Sequence, residues 1–164
     1  MATGRTPSKF IKVQIEDNGA ALRDIEWTTI GDVGIVYDSV DVSALTDALK
    51  SGLTGQGSFG LDITGPMSNK AAVAASTTGV HAACTGCMNI FPAMNGVQTP
   101  RSFAVYIGIQ ADWATGDPVF GAVDCVNVTS FTVTQNGTMF SAHIALAGNR
   151  VNDPAWGSAQ IAAA

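Results

Sequence analysis

The chain has 164 residues, a length that fits one domain with a substantial core rather than two. Apolar residues make up 46% of the sequence and charged residues only 13%, so we expect a surface of small polar residues or one buried against other subunits. The net charge is −5 and no cluster of Lys or Arg occurs, which excludes tight nucleic-acid binding and a polybasic membrane-surface site.

Nothing in the sequence predicts a membrane segment or a secretory signal. No run of about eighteen apolar residues is present, and the opening segment MATGRTPSKFIKVQIEDNG has no apolar stretch typical of a signal peptide. We therefore expect the chain to be made and used in a cytosol. In that compartment three cysteines, Cys84, Cys87 and Cys125, do not predict a disulfide framework.

The first part of the chain predicts a loose arm followed by three strands. Residues 1–8 form the arm, and residues 9–15 alternate between apolar and polar side chains until the turn sequence EDNG ends the strand. Residues 22–30 are a second strand candidate, and residues 33–37 a third. This order is typical of antiparallel sheet.

Residues 38–57 are the most informative stretch, because few compact domains carry so long an excursion between strands without a use for it. Leu45 and Leu49 are spaced one helical turn apart, with Ser43 as a candidate N-cap and Gly52 as a stop, so a short helix inside the loop is predicted. The following glycines are interpreted as a flexible return into a strand over residues 58–64. The stretch has no His, no Cys and one basic residue, Lys50, so it lacks the parts of an active site.

The second half predicts one helix and then more strands. Residues 69–76 are rich in Ala and residues 80–95 carry an apolar face, although Pro92 argues against an unbroken helix. Residues 102–109 predict a central strand and residues 118–125 another. Residues 128–147 predict a hairpin around Asn136-Gly137, a type I′ turn pair. Residues 148–164 predict a C-terminal tail on the surface.

These elements predict an α+β fold that is mainly antiparallel β. The expected architecture is a single domain, residues 1–164, built as a β-sandwich or barrel-like domain with one packed helix and a long inter-strand loop.

Few residues suggest chemistry. His81, Cys84 and Cys87 have a spacing compatible with a metal site, but a fourth ligand would have to come from Cys125 or His143. The other interpretation makes both early cysteines small semi-buried residues. His143 falls on a strand face, no nucleophile motif occurs, and the carboxylates are scattered among turns and strand ends. We therefore assign no catalytic, cofactor-binding or metal residue, and no cofactor.

Two motifs carry a resemblance to a known family. The run SVDVSALT at residues 39–46, and then LTGQGSFGLDITG at residues 53–65, resembles major tail tube proteins of long-tailed bacteriophages and related gene-transfer particles. The similarity in order and length extends over residues 9–147, although residues 71–94 are longer and richer in Ala and Cys than that family leads one to expect.

The resemblance implies a structural role. Such subunits form hexameric rings that stack into a tube, genomic DNA passes through without tight or specific binding, and the long loop reaches a neighbouring subunit or ring. The implied partners are other copies of this chain and other phage tail proteins, in a virion tail assembled in the host cytoplasm. The residues expected to make the subunit or ring contact are Val40, Asp41, Val42, Ser43, Leu45, Leu49 and Leu53.

Two other function classes stay open. One is a capsid decoration or head-tail connection protein built on a similar β scaffold. The other is a small β-rich enzyme or ligand-binding domain, which would require a pocket with convergent polar groups. The sequence supplies no evident set of such groups.

Overall fold

The computed structural model describes residues 11–17, 20–44, 52–67, 91–108, 116–149 and 151–162. These residues form ten strands, and every strand pairing among them is antiparallel. The strands are β1 (Ile11–Glu16), β2 (Leu22–Asp24), β3 (Thr29–Ile30), β4 (Val36–Asp41), β5 (Gly52–Ser58), β6 (Gly60–Pro66), β7 (Arg101–Ile107), β8 (Val119–Asn136), β9 (Met139–Gly148) and β10 (Ala155–Gly157).

Eight strands form one open sheet in the order β2-β1-β7-β8-β9-β6-β3, with β10 paired to β8 off this path. The sheet has two halves because β8 is 18 residues long and changes partner along its length. Its first part pairs with β7 and β10, and its second part pairs with β9. β4 and β5 form a separate two-stranded sheet.

The two halves pack face to face around one hydrophobic core. Phe59, just before β6, lies with its ring centroid 6.0 Å from Phe103 on β7 and 5.3 Å from Phe120 on β8. Fully burying a side chain of this kind contributes roughly 1.5–3 kcal/mol. The core draws on both halves through Val13, Ile15, Leu61, Ile63, Phe103, Val105, Ile144 and Leu146.

The structure confirms the predicted fold of mainly antiparallel β strands, arranged as an open sheet, but the barrel alternative is wrong. Within the described ranges, β2 pairs only with β1 and β3 pairs only with β6, so the ends of the sheet do not meet. The predicted central strand is confirmed at β7, where both faces are buried. One face of β7 joins the core, and the other is covered in part by the C-terminal segment, where the backbone N–H of Ile161 donates to Tyr106 Oη at 3.0 Å.

The predicted packed helix is not confirmed. Most of its segment lies outside the described residues, and the described part has no α-helix. Residues 91–93 form a single 3₁₀ turn that buries Phe91 beside Met94 in the core. No described helix is long and apolar enough to cross a membrane.

Two strand boundaries differ from expectation for a physical reason. The predicted second strand, residues 22–30, is divided because its ends pair in different halves: β2 lies on β1, while β3 lies on β6. Asp24 is buried and its side chain accepts a hydrogen bond from Gln14 at 2.8 Å, which ties the first piece to β1. The third strand begins at Val36 rather than at residue 33.

The predicted hairpin is confirmed as β8 and β9, but its turn is shifted by one residue. Asn136 pairs with Met139, so the two central turn residues are Gly137 and Thr138. Gly137 has a φ of 63°. A glycine with positive φ at the first central position is the pattern of a type II′ turn, whereas type I′ needs positive φ at both central positions. Further along, the predicted C-terminal tail contains β10.

Candidate functional site

The two-stranded sheet of β4 and β5 projects as an arm, defined here as residues 36–58 with residues 45–51 outside the described part. Every residue of both strands is exposed. An isolated two-stranded hairpin is marginally stable in water. None of the arm's described residues belongs to the buried core.

An apolar pair lies near the end of the arm. Val40 on β4 is directly opposite Leu53 on β5. Their side chains are 58% and 62% exposed, and the neighbouring Val42 is also exposed. Water therefore contacts a continuous apolar surface at this point of the arm.

A local turn ends β4 beside this pair. The backbone N–H of Ser43 donates to Asp41 Oδ1 at 2.9 Å, an Asx-type turn. Hydrogen bonds from Ser43, first from its side chain and then from its backbone, hold the pKa of Asp41 below its ordinary value. Asp41 also lies opposite Gly52 in the arm's ladder.

The structure thus brings five of the seven sequence-predicted contact residues to one end of the arm: Val40, Asp41, Val42, Ser43 and Leu53. Leu45 and Leu49 lie outside the described residues, as does the short helix predicted around them. Where it is described, the arm is therefore a pair of antiparallel strands, β4 and β5, rather than a loop.

The glycines of the arm have a structural use that sequence reasoning missed. A Cβ added at Gly57 would meet Tyr37 Cε1 at 2.7 Å and Ile35 Cγ2 at 2.8 Å, because the tyrosine ring lies across this glycine. One at Gly55 would meet the backbone oxygen of Asp38 at 3.2 Å. These glycines belong to β5, so their interpretation as a flexible return was wrong. The signal that could have indicated the pairing of β4 with β5 is Tyr37 opposite Gly57, an aromatic residue across from a glycine.

Two grooves flank the base of the arm, with volumes of about 480 and 500 Å³. Ile35, Tyr37, Asp153 and Pro154 line both. Among the described residues of both linings, Asp153 is the one carboxylate, and none is a His, Lys, Arg or Cys. A single acid in an open groove does not supply the convergent set that a catalytic site requires.

Of the candidate metal ligands, only Cys125 and His143 lie within the described residues. His81, Cys84 and Cys87 lie outside the described residues. Cys125 is buried in the core, where desolvation raises its pKa to about 11, while His143 lies on the outward face of β9. Among the described residues, no group of three or more His, Cys, Asp or Glu could hold a metal ion.

A second exposed surface is the outward face of the half-sheet made by β3, β6, β9 and the second part of β8, called the polar face below. None of its residues is buried. Its two ionisable groups are Asp62 and His143, with Oδ1 and Nε2 3.7 Å apart. The register places on it Thr29, Asp62, Thr64, Ser130, Thr132, Thr134, Met139, Ser141, His143, Ala145 and Ala147, of which Met139 at the hairpin end is a large exposed apolar residue. The sequence predicted that His143 lies on a strand face, but it did not predict that these four strands share one exposed face.

Comparison with protein-family models and with curated proteins finds no match to this sequence. Solved structures do match. A chain in the anti-feeding prophage tube-terminating cap has a TM-score of 0.62 at 11% identity, covering 97% of this chain and 95% of that one. A chain in the tail of an empty gene transfer agent particle has a TM-score of 0.62 at 13% identity, covering 95% and 100%.

A third match comes from the sheath-tube complex of an extracellular contractile injection system in its extended state, with a TM-score of 0.57, 15% identity, and coverage of 94% and 93%. Coverage is nearly complete on both sides in all three, so the likeness concerns the whole domain rather than one motif. The chain has the fold of the tail tube and tube-terminator proteins of contractile injection systems and gene transfer agents.

Proposed function

We propose that this protein is a virion structural protein whose copies form hexameric rings that stack into a tail tube for DNA passage. The observation that carries the proposal is the arm, whose apolar end is exposed while none of its described residues belongs to the buried core. Its location would be a virion tail assembled in the host cytoplasm, with other tail proteins as neighbours. No cofactor or catalytic step is part of this role.

The arm supplies the contact between copies. Burying the exposed parts of Val40, Val42 and Leu53 against a neighbour is favourable by roughly 1 kcal/mol or more for each side chain. The arm of one copy meets a different surface of the next, which is a heterologous contact, and such contacts generate rings or continuous stacks. The open ends of the main sheet at β2 and β3 also offer strand edges that assembly would cover.

The charge of the chain suits a channel that does not retain nucleic acid. The sequence carries 13 acidic and 8 basic residues, with no basic cluster. Tight binding to DNA depends on cationic contacts with phosphate. A wall without them leaves a passing duplex free to move.

A second candidate is an end component of the same kind of assembly, such as a head-tail connection protein. One of the matched structures is a tube-terminating cap, which favours this alternative over a capsid decoration protein. The two functions differ in what the purified chain does alone. A tube subunit propagates a stack, whereas an end component stops at one ring.

Negative-stain microscopy of the purified protein tests the proposal. We expect six-fold rings and tubes, whereas single rings only would favour the end component. A monomer at high concentration under every salt and seeding condition would contradict both. Deleting residues 43–55 would also remove part of β5, so a cleaner variant is Val40→Ser with Leu53→Ser, which keeps the arm's backbone.

The matched control for that variant is Val151→Ser, since Val151 is 59% exposed but lies outside the arm. We expect the arm variant to remain folded and to lose tubes, while the control assembles as the parent does. If the arm variant still formed normal tubes, the arm would not be part of the contact between copies.

A further inference from the structure

We propose that an apolar surface beside the turn of the β8–β9 hairpin receives the arm of the next copy along the stack. Val133 and Phe140 define this receiving surface, which is called the hairpin end below. The inference rests on the proposed function and names the surface that the arm contacts. It concerns the core-facing side of the hairpin, not the polar face.

The hairpin end continues the core-facing side of β9 beyond the core. Phe140, Ala142 and Ile144 are alternate residues of β9, so their side chains lie on the same face of the sheet. Ala142 and Ile144 are fully buried, whereas Phe140 is 54% exposed. On β8, Val133 lies opposite Ala142 and is 43% exposed. Two large apolar side chains on this face therefore remain open to a partner.

The arm also has one apolar face. Val36, Val40 and Val42 are alternate or next-alternate residues of one extended stretch, so they lie on the same side of the arm. Leu53 joins them because it lies opposite Val40. All four side chains are exposed. The arm and the hairpin end are both two-stranded, and apolar faces of sheets pack against each other as in a sandwich.

The arm and the hairpin end lie at opposite ends of one half-sheet. The arm leads into β6 at Gly60, which pairs with Ala147 near the end of β9. The hairpin turn is at the other end of β9, whose ten residues span about 30 Å. The seven residues of β5 span only about 20 Å. The described strands of the arm are thus too short to reach the hairpin end of their own copy.

Stacking copies head to tail brings the two surfaces together. The arm of one copy then meets the hairpin end of the next, and the same contact repeats at every step. A heterologous contact between opposite ends of a subunit continues without limit, which is what a tube requires.

Charge favours this receiver over the grooves at the base of the arm. Residues 125–142 contain no Asp, Glu, Lys, Arg or His. Asp38 lies between Val36 and Val40 on the apolar face of the arm, and a neutral receiver brings no second carboxylate beside it. Both grooves include Asp153, and both lie at the arm's own end of the domain.

Cross-linking between two differently marked copies tests the inference. One chain carries Val40→Cys and the other Phe140→Cys, both in a parent with Cys84→Ser and Cys87→Ser, while Cys125 is buried. The two chains are mixed, assembled into tubes and treated with a bismaleimide whose spacer spans about 10 Å, the distance between packed sheets.

The matched control replaces Phe140→Cys with Val151→Cys, since Val151 is similarly exposed but lies outside the hairpin. Val133→Cys is a second receiver position if Phe140→Cys does not fold. In tubes we expect dimers of one arm-marked and one hairpin-marked chain, roughly tenfold or more above the control, because thiols in contact react at a high effective concentration. Yields equal to the control at both hairpin positions would overturn the inference. Dimers of two Val40→Cys chains in their place would show that arms pair with each other and would overturn it equally.

A charge pair gives an independent measurement. Leu53→Asp and Phe140→Lys should each raise the concentration needed for tube assembly roughly tenfold or more, because each buries an unpaired charge. Combined in one chain, the two charges meet across the contact, and most of the loss should be recovered. Leu53→Asp combined with Val151→Lys is the control and should recover nothing. Equal assembly by the two double variants would contradict the assignment.

The two proposals fail in different ways. If the parent chain makes no tubes, the proposed function fails at the microscope before any cross-linking. If tubes form and the cross-links and the charge pair give the contrary results, the tube stands and only the receiving surface falls.

Discussion

Val40 and Leu53 lie directly across from each other on the arm, and both side chains remain exposed to water. Because Leu53 contributes nothing to the core, we expect Leu53→Asp to change the free energy of unfolding by less than about 0.5 kcal/mol. In a subunit contact, the same change buries an unpaired charge and should raise the concentration needed for tube assembly at least tenfold. Sedimentation and urea unfolding measure the two effects separately.

The matched control is Leu53→Met, which keeps an apolar side chain of similar volume and should assemble nearly as the parent does. If Leu53→Asp assembled at the parental concentration, the apolar end of the arm would have no part in the contact.

Gly121 is expected to be among the positions least tolerant of substitution. Its φ is 153°, and an added Cβ would lie 2.0 Å from the backbone oxygen of Phe103 on the neighbouring strand. The obstruction is backbone, so it can be relieved only by moving β7 or β8. We predict that Gly121→Ala destabilises the protein by about 3 kcal/mol or more, measured by urea unfolding.

Gly157→Ala is the control, since an added Cβ there meets nothing within 4 Å and the residue is exposed. Its effect should stay within about 0.5 kcal/mol. If Gly121→Ala and Gly157→Ala lowered the free energy of unfolding by similar amounts, β7 and β8 would be able to move apart at little cost.

Cys125 should make the fold sensitive to alkaline pH. Burial raises its thiol pKa to about 11 from an ordinary value of 9.0. The folded state therefore holds this proton when the unfolded chain releases it, so stability is complete below pH 9 and falls as pH rises toward 11. The loss is on the order of 3 kcal/mol at most, since each pKa unit corresponds to about 1.4 kcal/mol.

Urea unfolding of the parent and of Cys125→Ala across this range checks the effect. The alanine variant should start less stable because it loses buried volume, but its stability should fall less steeply with pH. Burial also raises the pKa of Tyr106, so part of the alkaline loss remains in both proteins. Identical pH slopes would mean that the Cys125 thiol does not carry the effect.

If the polar face lines the channel of the proposed tube, a lysine on it should make that channel bind DNA. In assembled tubes, Thr132→Lys adds one lysine per copy to a face whose described residues include no Lys or Arg. We expect these tubes to retain short duplex DNA at low salt, with binding that weakens steeply as salt rises. Co-sedimentation of labelled duplex, with and without nuclease, measures the retained and the protected fractions.

Val151→Lys places an equally mobile cation on an exposed position outside this face. It should leave any bound DNA open to nuclease, whereas DNA held by Thr132→Lys should be protected. Retention without protection in Thr132→Lys tubes would argue that the face is on the outside.

Local pattern was enough to predict strands whose partners are close in sequence or whose residues are densely β-branched and aromatic. The hairpin of β8 and β9 followed from two alternating runs around a glycine turn, and β7 followed from its dense β-branched and aromatic residues. The turn itself was shifted by one residue, because register depends on which side chains reach the core and not on the dipeptide alone.

The arm shows where local pattern was insufficient. Its contact residues were predicted from the family resemblance and from aliphatic residues in a stretch too long for a plain loop, and Val40 and Leu53 do lie opposite each other. Its glycines were interpreted as flexible because nothing near them in sequence explains them. Only the pairing of Gly57 with Tyr37 gives the reason, since the ring needs a neighbour without a side chain.

By itself the sequence determined the mainly antiparallel β character of the fold and the stretch that projects from the domain, because alternation, composition and turn residues act over a few positions. The helix of the predicted α+β class is not among the described elements. The tertiary structure decided which strands are neighbours, and therefore that residues 22–30 divide between two halves and that Thr132, His143 and Thr64 share one open row. These pairings join residues far apart in the chain, and their register depends on burying one common core.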